Sequence, residues 1–251
     1  MEMILRIFVT GLLFISAAHA DQAGDMFLQA NQLYQDGKFE AAIEKYESIL
    51  DANLESGELY YNLANAYYKS GNIGKARLNY ERALLWLEGD EAVVQNLELL
   101  KLRLIDQIEE PPRLFITVWW NALLNMFNTH TLGIIVLVAF WIVLITAAVF
   151  LYFRKRGRLQ WKSVFVTSFV IFLLLLTIWI NKIYLFETEK YGVILASTIT
   201  VHAEPAEDTT ELFVLHEGTR VKVERNSNGW LEIRLADGKT GWLQGDVLEI
   251  I

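Results

Sequence analysis

The sequence predicts a multidomain membrane protein that joins an α-helical solenoid, a two-helix transmembrane hairpin and a small all-β barrel. Three observations carry that reading. Residues from about 23 to 90 repeat with a 34-residue period, two long uncharged apolar runs follow, and from Gly192 onward the apolar spacing changes from helical to alternating. A mean hydropathy of +0.27 over 251 residues is too apolar for an ordinary soluble domain. The absence of cysteine excludes disulfides, thiolate metal sites and a cysteine nucleophile. A net charge of −8 argues against nucleic acid as a partner.

Residues 1–20 read as a signal peptide. Arg6 precedes an apolar stretch from Ile7 to Ala17, and Ala18-His19-Ala20 supplies a cleavage site before Asp21. An uncleaved anchor is the alternative; in either case residue 21 emerges outside. Residues 21–110 then hold 17 acids against 8 bases. Gly37-Lys38-Phe39-Glu40-Ala41-Ala42-Ile43 aligns with Gly71-Asn72-Ile73-Gly74-Lys75-Ala76-Arg77, and Tyr46 and Leu50 align with Tyr80 and Leu84. Each unit, about 23–56 and 57–90, reads as two amphipathic helices around a glycine turn, with Ala30, Ala42, Ala64, Ala76 and Ala83 where helices cross closely. Two repeats do not close a core, so a capping helix is expected over 91–109, N-capped by Asp90 and stopped by Glu110-Pro111-Pro112.

Residues 111–185 contain no acid and seven bases. The stretch 111–131 is a linker whose apolar part, Leu114 to Phe127, is expected at a membrane surface or against the first span. Residues 132–153 and 163–184 are the expected spans. The first run gives about 33 Å of helix at ~1.5 Å per residue. Two buried core helices are disfavoured, because uncharged runs of this length are rare in soluble cores. Between the spans, Arg154, Lys155, Arg156, Arg158 and Lys162 make a basic loop, 154–162. Basic loops are retained in the cytoplasm, so both polar regions are placed outside. Residues 190–251 are acidic again and alternate over Thr198–His202, Thr219–Glu224 and Leu231–Leu235, separated by glycine turns, which predicts five short strands in a barrel.

The small-aromatic-Gly-aromatic-Ala spacing of the first region resembles the tetratricopeptide repeat (TPR). Met26 and Tyr60 stand where that family has tryptophan, and the terminal proline is missing, so the repeats are degenerate. The resemblance implies a concave groove lined by Phe27, Asn31, Tyr34, Tyr61, Asn65, Tyr68 and Lys69, a surface for a peptide or partner helix; ordinary repeat packing is the competing role for the same residues. Gly229-Trp230 and Asp237-Gly238-Lys239-Thr240-Gly241-Trp242 resemble the paired Gly-Trp motifs of bacterial SH3 (SH3b) domains, which implies binding of wall peptides or protein segments. The family's entry segment is altered here to Thr200-Val201-His202-Ala203-Glu204-Pro205, without its arginine. Trp230 and Trp242 are therefore assigned first to packing at the core or rim and second to ligand stacking.

The order of these parts, with Trp119-Trp120-Asn121-Ala122-Leu123 before the first span and Leu215-His216-Glu217-Gly218-Thr219 through Gly241-Trp242-Leu243 in the barrel, resembles BatE-type proteins of the Bacteroides-aerotolerance (Bat) system. That resemblance implies membrane-anchored von Willebrand factor A-domain proteins and a MoxR-type AAA+ ATPase as partners, and a role in envelope stress or oxygen tolerance. No phosphate loop, HExxH, nucleophile elbow or dinucleotide signature is present in the sequence, and the four histidines are scattered. The chain is thus read as a non-enzyme without cofactor or metal. It is expected to be an inner-membrane, multi-pass scaffold with both polar domains in the periplasm. A peptidoglycan-binding sensor acting through the barrel is the alternative.

Overall fold

A computed structural model describes residues 22–108, 111–112, 114–124, 126–154 and 160–251. The signal-peptide segment 1–20 lies outside the described residues, as do Lys155, Arg156, Arg158 and the side chain of Arg154. The described residues divide into two compact units, one made of residues 22–108 together with 190–251, the other drawn from residues between 111 and 189. The repeat region and the barrel therefore belong to one body, although 79 residues of sequence separate them.

In the first unit, helix α1 covers 22–35, followed by α2 (Phe39–Asp51), α3 (Gly57–Ser70), α4 (Ile73–Trp86) and α5 (Glu91–Lys101). Side chains start three of these helices. Ser56 Oγ accepts from Leu59 N, Asn72 Oδ1 accepts from Lys75 N, and Asp90 Oδ1 accepts from both Ala92 N and Val93 N. Each acceptor satisfies amides that have no partner in a first turn. The fully buried alanines 30, 42, 64, 76 and 83 let the helices approach closely, and Tyr46, Leu63, Tyr80, Val93 and Leu100 fill the space between them.

The capping helix ends at Lys101, short of the expected residue 109. Arg103 N and Leu104 N donate to Leu100 O and Lys101 O in a tightened last turn, and Gln107 Nε2 donates to Lys101 O and Leu104 O, so the chain leaves the helix with these carbonyls satisfied. Leu104 closes the end of the repeat core, and Ile108 packs against the core of the barrel.

The expected barrel region is a seven-stranded antiparallel sheet, where five strands were expected: β1 (Lys190–Ile194), β2 (Thr198–His202), β3 (Glu211–His216), β4 (Arg220–Ser227), β5 (Trp230–Arg234), β6 (Thr240–Gln244) and β7 (Leu248–Ile250). Their order is β3-β2-β6-β5-β4-β1-β7, with every pair antiparallel. Leu231, Ile233 and Leu243 point inward with Ile194, Val201, Leu215 and Val221, while alternate residues of the same strands face outward. Three of the seven strands carry no alternating signal: β1, with its consecutive buried residues, β3, apolar throughout Leu212–Leu215, and the three-residue β7.

The second unit contains α6 (Phe115–Leu124), α7 (Thr129–Arg154) and α8 (Gln160–Thr188). α6 is a helix inside what the sequence presented as a linker, and α7 and α8 both extend beyond the uncharged runs. Two stretches, Thr129–Phe153 and Gln160–Leu185, are long and apolar enough to cross a membrane. α7 and α8 form an antiparallel hairpin. Phe153 stacks on Trp161, Thr146 Oγ1 and Ser168 Oγ are 2.8 Å apart, and Trp179 Nε1 donates to Thr129 O. Gly133 faces the Trp179 indole, where a Cβ would stand 3.3 Å from Nε1. Leu137, Trp141, Ile145 and Leu174 remain largely exposed.

Candidate functional site

The predicted groove residues lie on α1 and α3, and their polar atoms are organised as a repeated module. Tyr46 Oη donates to Asn31 Oδ1 at 2.6 Å, and Asn62 Nδ2 donates to the same oxygen at 3.0 Å. One repeat later, Tyr80 Oη donates to Asn65 Oδ1 at 2.6 Å, and Asn96 Nδ2 donates to it at 2.9 Å. Each asparagine is thus held by the tyrosine 15 residues on and the asparagine 31 residues on. Ring contacts repeat as well: Phe27 packs on Tyr46 with centroids 5.9 Å apart, and Tyr61 on Tyr80 at 6.1 Å. Burial, aided by Tyr34, pushes Tyr46 up to about 12, and burial likewise raises Tyr80, so both hydroxyls remain donors.

This arrangement divides the predicted set. Asn31, Asn65 and Tyr61, which accepts from Asn96 Nδ2 at 3.0 Å, tie one repeat to the next element. Phe27 and Tyr34 are half-buried, Tyr34 against Phe39. Tyr68 is half-buried beneath Arg103, whose Cζ lies 4.8 Å from the ring centroid, and Lys69 is exposed. Sequence reasoning missed Asn62 and Asn96 as partners of the groove asparagines, and Arg103 as the cover of Tyr68. The 34-residue spacing of Asn62 and Asn96 was the signal that could have found the first two.

The barrel is docked on the second repeat through the β3–β4 turn. The Asp106 carboxylate accepts from His216 N at 2.7 Å and from Thr219 Oγ1 at 2.6 Å, and its other oxygen lies 2.8 Å from His216 Nδ1. Burial pushes this carboxyl up, but the bonds from Thr219 and His216 outweigh it and leave it below the ordinary aspartate value. Glu217 Oε1 accepts from Gly74 N at 2.7 Å, and Arg77 Nη1 donates to Gly218 O at 2.8 Å. Glu81 bridges Arg77 and Arg220, at 3.6 Å and 3.4 Å. Two glycines allow the approach: a Cβ on Gly74 would stand 2.7 Å from Glu217 Cγ, and one on Gly218, whose φ is +83°, would stand 2.5 Å from Leu104 Cδ2.

Trp230 and Trp242 are half-buried on the outer face of β5 and β6. Trp230 meets His202 edge to face at 5.8 Å, and Arg225 lies 5.9 Å from the Trp242 ring centroid. Both tryptophans belong to the rim of the barrel, beside its core. His202 and His216 sit at opposite ends of the β2–β3 ladder, about four residues or ~13 Å apart, so the two are not brought together. Lys162 lies in the first turn of α8. Among the described residues, no three His, Asp or Glu side chains cluster as metal ligands.

Residues 33–98 match the tetratricopeptide repeat model, and residues 197–249 match the bacterial SH3 domain model. The chain carries a TPR region and a bacterial SH3 domain. No curated protein matches it. Both domain types point to binding of a protein or of peptidoglycan, and in this chain the TPR and SH3 domains present their surfaces as parts of one docked unit.

Proposed function

We propose that the protein is a non-enzymatic scaffold of the bacterial inner membrane, of Bat type, that holds partner proteins outside the cytoplasm through its TPR groove and SH3 domain. The observation that carries this reading is the docking of two domains whose sequences lie on either side of an apolar hairpin. Domains in contact stand on one side of a membrane, so the intervening chain crosses it an even number of times. Two antiparallel helices of sufficient length supply that number. The basic segment between them sets the sign: the hairpin turn is cytoplasmic and the docked unit periplasmic.

Von Willebrand factor A-domain membrane proteins, working with a MoxR-type ATPase system, are the proposed partners. Capture of the tagged protein from mildly solubilised membranes should recover them, and Tyr68→Ala with Lys69→Ala should reduce that recovery without unfolding the repeats. Recovery unchanged in a folded variant would remove the groove from the mechanism. The cysteine-free chain makes topology directly measurable. Ser70→Cys should react with an impermeant maleimide from the periplasm, and Gly157→Cys should react only after the membrane is opened. The reverse pattern would refute the orientation.

A second reading, wall binding, is favoured by the half-buried Trp230 and Trp242 on the SH3 rim. It predicts that the intact protein sediments with purified peptidoglycan and that Trp230→Ala with Trp242→Ala abolishes this.

A further inference from the structure

α3 presents two different faces. At 100° per residue Tyr61, Asn65 and Tyr68 share the groove face, and Tyr60, Leu63 and Tyr67 share another, about 130° away round the helix. The second face opens into a cleft of about 740 Å³ between α2 and α4, bounded by Glu249, Ile250 and Ile251 of the SH3 domain. Leu63, Tyr67 and Leu78 are buried at its floor, while Leu85 and Trp86 remain 46% and 56% exposed at its edge.

The charges of the cleft are unbalanced. Four carboxylates line it (Glu47, Asp51, Glu55 and Glu249) against two cations, Lys75 and Arg82. Both cations are engaged. Lys75 Nζ lies 3.6 Å from Glu47 and donates to Tyr67 Oη at 3.2 Å, and Arg82 Nη2 donates to Glu249 and to Ile250 O, each at 2.8 Å. Asp51 and Glu55 are exposed and have no cationic partner among the described residues. In the cleft wall Asn79 is only 4% exposed. Its Nδ2 donates to Lys75 O, and its Oδ1 lacks a donor. A buried acceptor without a donor, beside two carboxylates that no cation neutralises (Glu55 meets the Tyr60 hydroxyl) and an exposed indole, calls for a ligand that combines N–H donors, positive charge and apolar surface.

We infer that this cleft is a second docking site, distinct from the concave groove, for an arginine-bearing segment of a partner protein. The guanidinium enters between Asp51 and Glu55 toward the Asn79 carbonyl, and an apolar neighbour lies on Leu85 and Trp86. A guanidinium meets the site better than an ammonium, because its planar fork pairs with carboxylates while its face stacks on an aromatic ring. The two domains build the cleft jointly, so its shape depends on the docked state.

The test uses the full chain in detergent micelles and a labelled seven-residue peptide of two leucines and two arginines among serines, with a glutamate-for-arginine control. The arginine peptide should bind saturably and more weakly as salt rises, and the control should not bind. Asp51→Asn with Glu55→Gln, both exposed, should weaken binding at least tenfold, and Trp86→Ala should weaken it about fivefold. No saturable binding, equal binding of the control, or unchanged affinity in an Asp51/Glu55 variant with the parent's thermal midpoint would overturn the assignment. Loss of binding in the Tyr68→Ala, Lys69→Ala variant instead would place the peptide in the concave groove, overturning this site while leaving the proposed scaffold intact. Displacement of the peptide by purified wall fragments would overturn a protein segment as the occupant.

Discussion

The two repeats share one plan but differ along their second helices, and the differences are where the second repeat carries the SH3 domain. Ala42 and Ala76, Tyr46 and Tyr80, and Glu47 and Glu81 are equivalent and identical. Glu40, Ile43 and Ser48 of α2 correspond to Gly74, Arg77 and Arg82 of α4. Gly74 exposes an amide to Glu217, Arg77 reaches Gly218 O, and Arg82 reaches Glu249 and Ile250 O. The equivalent glutamates are used differently too: Glu47 serves Tyr67 and Lys75 within the repeats, whereas Glu81 bridges Arg77 and Arg220 across the interface. A repeat can therefore keep its packing residues while its outward positions are rewritten into a docking face, because inter-helix packing and inter-domain contact use different sides of the same helix.

The strongest way to break this comparison is to rewrite the second repeat as the first. Gly74→Glu with Arg77→Ile should cost roughly 4 kcal/mol, combining a steric and charge conflict at Glu217 with loss of one partner of a nearly buried ion pair. Hydrogen exchange at the amides of His216 to Thr219 should rise sharply while α2 and α3 stay protected; unchanged protection would mean that docking does not depend on these positions.

Asp106→Ala should cost about 3 kcal/mol, since it strands the His216 amide and the buried Thr219 hydroxyl. The same carboxylate gives docking an acid limit. Its value is depressed in the folded chain, so its contribution is present above the ordinary aspartate value and is lost as pH falls through the lower folded one. A thermal melt series below pH 4 should show this loss, and Asp106→Asn should flatten it.

The shared plan is sharpened by Asn31→Ala and Asn65→Ala. Each leaves a buried tyrosine hydroxyl without its acceptor, so each should cost about 2 kcal/mol in thermal unfolding. A wide gap between the two would show that the modules are not equivalent. The smallest effect belongs to Arg82→Ser, which removes a partly exposed pair with Glu249. It should cost about 1 kcal/mol or less and should open the cleft at Ile250 to faster exchange.

Legibility followed range along the chain. The repeat period, the Asp90 cap and the apolar runs are set by neighbours within a few turns of helix, so they could be read directly. Strands β2, β4 and β5 alternate visibly because one face of each is buried. β1, β3 and β7 lack that signal because their burial comes from partners elsewhere in the sheet. Of the candidate groove, the positions were legible, but the division between surface and structural roles was not. Asn65 looks the same in sequence whether its carbonyl awaits a ligand or is already held by Tyr80 and Asn96.

Local pattern alone was enough to specify a helical repeat, two helices apolar all round and a small β domain, since periodicity and charge distribution act through neighbouring residues. The docking of the SH3 domain onto the second repeat emerged only in the tertiary structure. Its contacts join residues more than a hundred positions apart, Asp106 to His216 and Gly74 to Glu217. At that separation no periodicity survives, and the match of carboxylate to amide exists only once both surfaces have folded.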